Sequence, residues 1–274
     1  MLNRLVALAC AASDVILEVY ARADAGVRDK SDGSPVTEAD GLAEEIILRG
    51  LAESWPDIPV VAEEAVAAGH APICGDRFFL VDPLDGTREF IRRTGEFTVN
   101  IALVESGRPT AGVVLAPTTG AVFVGDATGA RRGVYRDGMV SDWTPIMARE
   151  APAGGLRVVA SRSSMNPETE AFLRSFPVAE FVQAGSSLKL CLVAAGEADL
   201  YPRLGCTMGW DIAAGDAVLR AAGGMVRRLD GRPFTYELGR VEGGQPFENP
   251  WFVASGAFDP QALVEDGRLE RRPV

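Results

Sequence analysis

Histidine is almost missing from this chain: the 274 residues contain one, His70, in the glycine- and alanine-rich stretch "AAGHAPICGD". A histidine phosphatase or a Ser-His-Asp triad therefore has little to build on, and His70 reads as a solvated loop residue. The four cysteines, Cys10, Cys74, Cys191 and Cys206, show neither CxxC spacing nor the density of a disulfide scaffold, which suits a reducing cytoplasm. No apolar run approaches the roughly 18 residues of a membrane span, and the GxxxxGK[ST] phosphate loop is absent. Basic residues are outnumbered 27 to 38, a formal charge of −11, so a nucleic-acid backbone is repelled and any anionic substrate needs a local source of positive charge.

What is present is enough apolar sequence, 47%, to fill a large core. After Arg4, "LVALACAAS" imitates a short signal peptide, but only one basic residue precedes it. The apolar positions Leu2, Leu5, Val6, Ala9, Ile16, Leu17 and Tyr20 instead continue at helical spacing, which predicts an amphipathic helix over about 2–24. The loop "RDKSDGSPVT" and a second helix over about 39–54 follow, then strands at "IPVVAEE" and 77–82. Four β-rich segments separated by glycine or proline turns, from "FTVNIALVES" to "ARRGVYRDG", read as an antiparallel meander. Residues 138–155 lose periodicity and gather proline and glycine, which suggests a boundary between an N-terminal α+β subdomain, 1–140, and a C-terminal α/β subdomain, 141–274. Strands and helices alternate beyond it, with Asn166 and Pro167 as N-cap and first helical position of one helix. Helices layered on sheets in both halves are the expected architecture.

Within "FFLVDPLDGTREF", a buried strand ends in Asp82 and Asp85 around Pro83, which disfavours helix at Asp82, while Gly86 permits an unusual backbone angle. In such a turn both carboxylates and the Leu84 carbonyl can face one point, an all-oxygen set suited to Mg²⁺. Equally, Asp85 can cap a helix starting near Thr87 while Asp82 is solvated. Further acids stand at strand ends or helix starts: Glu63 and Glu64, Asp211 and Asp40. Each has a structural alternative: a solvated pair, a helix-dipole partner, and a cap shared with Thr37.

As a set these segments resemble a known family. "VAEEAVAAG", "DPLDGTREFI" and "GWDIAAGDAV" look like the three signatures of the inositol monophosphatase superfamily, lithium-sensitive metal-dependent phosphatases. "GEFTVNIALVESGRPTAGVVLAP", "SRS" and "GSSLKLCLVAAGEADLYPR" bring the chain closest to the bacterial 3′(2′),5′-bisphosphate nucleotidases. The resemblance implies an αβαβα sandwich and two or three Mg²⁺ ions held by Glu63, Asp82, the Leu84 carbonyl, Asp85 and Asp211. Glu64 then stands just outside the metals, and Asp40 with Thr87 orients the attacking water. Bound divalent ions would lower the pKa of that water and locally reverse the protein's negative sign.

For the substrate, Gly86 and Thr87, and Gly185, Ser186 and Ser187, would offer helix-start N–H groups to phosphate oxygens; ordinary capping is the alternative for "GSS". Asp211 also borders the substrate by this resemblance. Where inositol monophosphatases carry a glutamate for sugar hydroxyls, this chain has Arg203, better suited to a second phosphate, and Lys189 adds a cation. A surface ion pair is the alternative for Arg203. The implied activity is removal of the 3′-phosphate of adenosine 3′,5′-bisphosphate. An inositol or histidinol-phosphate phosphatase on the same fold, or a catalytically silent metal or nucleotide binder, stands behind it. The expected partner is a small phosphate ester, with no nucleic acid and no membrane span; these motifs do not encode oligomeric state or peripheral membrane contact.

Overall fold

The computed structural model describes residues 1–30, 33–160, 166–236 and 246–265. In chain order the first half runs α1 (Leu2–Tyr20), β1 (Arg28–Asp29), β2 (Pro35–Val36), α2 (Glu38–Ser54), β3 (Val60–Ala62), α3 (Glu63–Ala67), β4 (Arg77–Asp85) and α4 (Thr87–Ile91). Then come β5 (Thr98–Glu105), β6 (Arg108–Ala116), β7 (Ala121–Asp126), β8 (Gly129–Arg136) and β9 (Met139–Ile146). The second half contains β10 (Leu156–Ala160), α5 (Pro167–Leu173), β11 (Val178–Gln183), α6 (Leu188–Ala194), β12 (Leu200–Arg203), α7 (Gly209–Ala221), β13 (Met225–Arg228), β14 (Phe252–Ser255) and α8 (Pro260–Glu265).

Strands β3 to β9 form one sheet in sequence order, antiparallel except for the β3–β4 pair. A second sheet is ordered β11-β10-β12-β14-β13, with β10 parallel to both neighbours. Alternation along each strand decides what its faces meet. Phe79, Val81, Ile101 and Val113 point to a core shared with α1 and α2, whereas Phe78, Leu80, Ala102 and Val114 point to one shared with α6, α7 and the second sheet. The far face of the second sheet packs Leu200 and Val253 against Leu173 of α5. The layers are therefore α, β, α, β, α, the sandwich expected from the sequence, and strands buried on both faces explain the continuous apolar runs.

Helix α7 is the middle layer, and a glycine groove admits it. Gly112 and Gly125 lie directly opposite one another on β6 and β7. A methyl group on Gly112 would stand 2.6 Å from the Ala214 carbonyl oxygen, and one on Gly125 would stand 2.6 Å from the Val218 Cα. Small residues thus let the helix backbone lie against the sheet, which fixes where Asp211 in its first turn is delivered.

Several boundaries differ from the sequence reading. The first helix ends at Tyr20, and its apolar stripe packs into the core through Leu5, Ala9, Ile16 and Val19. The segment read as aperiodic after 138 begins with a strand, β9, so the division expected after residue 140 falls inside hydrogen-bonded sheet. As an edge strand β9 buries little, and its pairing to β8 shifts register between Arg132 and Val134, which erases the period-two signal. Ser161, Arg162 and Ser163, the "SRS" stretch, lie outside the described residues. All four cysteines are free, and among the described residues no helix is long and apolar enough to cross a membrane.

Because backbone atoms close the groove, relaxation is limited. Gly125→Val should destabilise the protein by about 3 kcal/mol, at the upper end for overpacking. Gly41→Ala, at an exposed helical position with nothing within 4 Å, should stabilise it by about 0.5–1 kcal/mol. Denaturant midpoints for the two variants, moving in opposite directions, check the packing.

Candidate active site

The site begins with a bulge. Asp82 pairs across the sheet with Asn100 and Asp85 with Thr98, so one strand spends three steps where its neighbour spends two. Pro83 and Leu84 occupy the excess, and the Leu84 N–H donates to Asp82 Oδ1 at 3.0 Å, which tightens the turn. Gly86 then takes φ +101°, and a methyl group there would press on Glu96 and Phe97 at 3.1–3.3 Å. Only glycine turns β4 into α4 at this point without strain.

Asp40 caps α2 with one oxygen and reaches Thr87 with the other. Its Oδ2 accepts from the Thr37 N–H at 2.8 Å and the Thr37 hydroxyl at 2.6 Å, closing the start of α2. Its Oδ1 accepts from the Thr87 hydroxyl at 3.1 Å, across 47 residues of sequence. Asp40 is almost fully buried, and this desolvation raises its carboxyl pKa.

Glu63 and Glu64 open α3 rather than closing a strand. Buried Glu44 anchors this helix by accepting the Glu64 and Ala65 N–H groups at 2.9 and 2.8 Å. Carboxylate oxygens of Glu63, Asp82 and Asp211 lie within 4.8 Å of one another. Asp211 reaches the ring from α7, where its Oδ2 also accepts the Met208 N–H at 2.8 Å. Asp85 does not cap α4: its Oδ2 accepts the hydroxyls of Ser186 at 2.5 Å and Ser187 at 3.0 Å. Its charge nonetheless acts on both Asp82 and Asp211.

Burial raises the pKa of Asp82 and Asp211 well above the carboxylate range, and the neighbouring carboxylates push in the same direction. Burial also lifts Glu64 to about 7. A countercharge comes from Lys30, whose Nζ lies 2.6 Å from both Glu63 and Glu64. Burial works against that ammonium, yet the two carboxylates outweigh it and its pKa rises. A crowded, desolvated, oxygen-only donor set fits a hard divalent cation, which would relieve the repulsion that the fold imposes.

Beside Asp85 and Asp211 opens a cavity of about 160 Å³, lined also by Gly86, Glu89, Gly185, Ser186, Lys189 and Arg203. Lys189 is buried, donates to the Ser186 carbonyl at 2.6 Å and lies 5.6 Å from the Tyr201 ring centre. Burial pulls its pKa down to about 8, against the attraction of Asp85. Arg203 donates from Nη2 to the Cys206 carbonyl at 2.8 Å. Ser187 stands at the N-cap of α6 without making a side-chain cap; its hydroxyl bonds Asp85 and the Asp211 carbonyl instead. His70 is exposed after α3.

The sequence reading did not single out Lys30, Glu44, Thr98 or Asn100. For the last two a signal existed: polar residues at alternate positions of an otherwise apolar strand, both fully buried. Lys30 carries none, because its partners are more than thirty residues away.

Fold and site together define a phosphatase-type layered sandwich with an acidic cage fitted to a cation at the junction of its layers. A model described as the inositol monophosphatase family matches residues 1–256, and the chain belongs to that family. The 3′(2′),5′-bisphosphate nucleotidase CysQ of Escherichia coli O157:H7 is 42% identical over 93% of this chain and 99% of its own length. The protein of the same name from Salmonella typhimurium is 43% identical over 86% and 94%. Among solved structures, CysQ from Bacteroides thetaiotaomicron superposes with a TM-score of 0.76 at 35% identity, covering 94% of this chain and 97% of that one.

Repulsion in the ring sets a pH and metal dependence. A carboxyl whose folded pKa is raised destabilises the fold while ionised, and the loss is relieved as pH falls through the folded value toward the unfolded one. Without metal, the carboxyls of the ring should therefore favour the fold more at about pH 5 than at pH 8, above the value near 7 for Glu64. Asp82→Asn should raise metal-free stability by roughly 1–3 kcal/mol. Mg²⁺ at a hundred times its dissociation constant should stabilise the unsubstituted protein by about 2.7 kcal/mol and Asp82→Asn by far less. Thermal midpoints with chelator and with Mg²⁺ check all three.

Proposed function

We propose that this chain is a Mg²⁺-dependent phosphatase that removes the 3′-phosphate of adenosine 3′,5′-bisphosphate, giving AMP and phosphate. The observation that carries the reading is one cavity that brings Asp85 and Asp211, the latter also part of the acidic ring, together with two cationic side chains, Lys189 and Arg203. A substrate with one phosphate needs one positive pole; a bisphosphate needs two. The names of the relatives point the same way, and the four free thiols suit a reducing compartment such as the cytoplasm.

Glu63, Asp82, Asp85, Asp211 and the Leu84 carbonyl would hold two or three ions. Ions so held lower the pKa of a bound water and offset charge on the phosphoryl oxygens. Thr87 donates its only hydroxyl proton to Asp40, which leaves its lone pairs to accept from the attacking water. As the water oxygen bonds to phosphorus, its proton passes through Thr87 to Asp40, whose burial favours receiving it. The bond from phosphorus to the 3′ oxygen breaks, and that oxygen takes a proton from solvent. The N–H groups of Gly86, Thr87, Gly185 and Ser186 steady the reacting phosphate, while Lys189 and Arg203 hold the 5′-phosphate away from the cage. Lys30 pairs with Glu63 and Glu64 alike, and of the two it is Glu63 whose carboxylate joins the ring.

Thr87→Ala and Asp40→Asn should lower kcat by about a hundred- to ten-thousandfold with KM little changed; a rise in KM at unchanged kcat would reassign them to binding. Arg203→Glu should cut kcat/KM for adenosine 3′,5′-bisphosphate by about 2–5 kcal/mol, or thirtyfold to several thousandfold, and largely spare adenosine 3′-monophosphate. Steady-state rates on both nucleotides, with inositol 1-phosphate and histidinol phosphate alongside, test the assignment. An unchanged ratio between the nucleotides, with faster release from either other ester, overturns it.

A further inference from the structure

Strand β5 is buried along all but its last residue, yet carries Thr98 and Asn100, both inaccessible to solvent. Buried polar side chains are retained only with their hydrogen bonds made, and these two make theirs toward the acidic ring. The Thr98 hydroxyl bonds Asn100 Oδ1 at 3.0 Å, which orients the amide so that Nδ2 donates to Ser187 Oγ at 2.9 Å. With that lone pair engaged, the single Ser187 proton is directed to Asp85 Oδ2, 3.0 Å away, and to the Asp211 carbonyl beside it. Ser186 gives its one proton to the same Asp85 oxygen at 2.5 Å, and its Oγ lies 2.5 Å from the Thr98 oxygen, whose single proton is shared between this contact and Asn100.

We propose that Thr98, Asn100 and Ser187 are positioning residues for the cation site, a buried relay that fixes the rotation of Asp85 and its spacing from Asp211. Both serine hydroxyls converge on Oδ2, so the carboxylate cannot turn without breaking two hydroxyl contacts, and Oδ1 is the oxygen left to a cation. Ser187 touches residues from both halves of the chain, Asp85 at the end of β4 and Asp211 in α7, and joins the two sources of ligands. The local backbone is bent to this end. Ser186 holds φ +52°, a left-handed conformation unfavourable for a residue with a side chain, and Ser187 forgoes capping α6. Ser186 therefore acts on Asp85 through its hydroxyl, whatever its backbone N–H does for a substrate. The inference rests on reading the ring as a cation site, and not on which ester is hydrolysed.

The test separates Thr98→Val, which keeps shape and removes the hydroxyl, from Thr98→Ser, which keeps the hydroxyl. Calorimetric titration of Mg²⁺ or Mn²⁺ into substrate-free protein should show binding weakened about ten- to a hundredfold by Thr98→Val and by Ser187→Ala. Thr98→Ser should bind nearly as the unsubstituted protein does. Thermal midpoints taken in parallel expose a merely structural role, for which every variant would melt earlier while metal affinity in the folded protein stayed the same; that result overturns the proposal. Ser186→Ala, at the partly exposed end of the relay, reads the same quantity if a core variant does not fold. An increase in substrate KM for Ser186→Ala, without any change in metal affinity, also counts against the relay. Failure on the nucleotide would leave these titrations intact, so the two assignments fail independently.

Discussion

Carboxylates that would separate in water are held together here in a desolvated ring, and most of the architecture serves that arrangement. Burial and mutual repulsion both favour the neutral forms of Asp82 and Asp211, so the ring opposes folding unless a cation joins it. What holds it is rigid: a bulged strand end, a helix start anchored by buried Glu44, and a helix seated on glycines between two sheets. These elements owe their position to three apolar cores rather than to the site. The cost at the ring is thus offset elsewhere, and its geometry need not relax when the charge changes.

The same logic explains the hydrogen bonds that fix one oxygen of each of these acids. Asp40 has one oxygen fixed by Thr37 and one turned to Thr87; Asp85 has one oxygen fixed by two serines; Asp211 has one held by the Met208 N–H. Each carboxylate is thereby restricted to a single useful direction. Capping and a proposed catalytic role, which compete as readings of any one acid in the sequence, are compatible because a carboxylate has two oxygens.

This compatibility also marks where the sequence was readable. The layered fold was legible because the apolar runs of β4, β5 and β6 and the helical spacing of α1 are local properties. The acids were legible because a bulge and a helix start compress them into short segments, "VDPLDGT" and "GWD". Lys30 was not, since a lysine in a loop looks solvated until its two glutamates are known. Edge strand β9 escaped because little of its burial alternates along the chain.

If an acidic protein is to take a polyanion, as proposed, it must also keep positive charge where the carboxylates do not neutralise it. Lys189 shows how this is done: buried, it donates to a carbonyl rather than to a carboxylate, and it lies over the Tyr201 ring. An ammonium paired with Asp85 would be spent; one held by a neutral carbonyl oxygen and a ring face keeps its field for a ligand. The opposite arrangement holds at Lys30, where two glutamates consume the charge. Two lysines in one molecule thus differ in what holds them, one paired with two carboxylates beside the ring and the other bonded to a carbonyl in the cavity lining. That placement of charge, rather than the net charge of −11, decides what the cavity can receive.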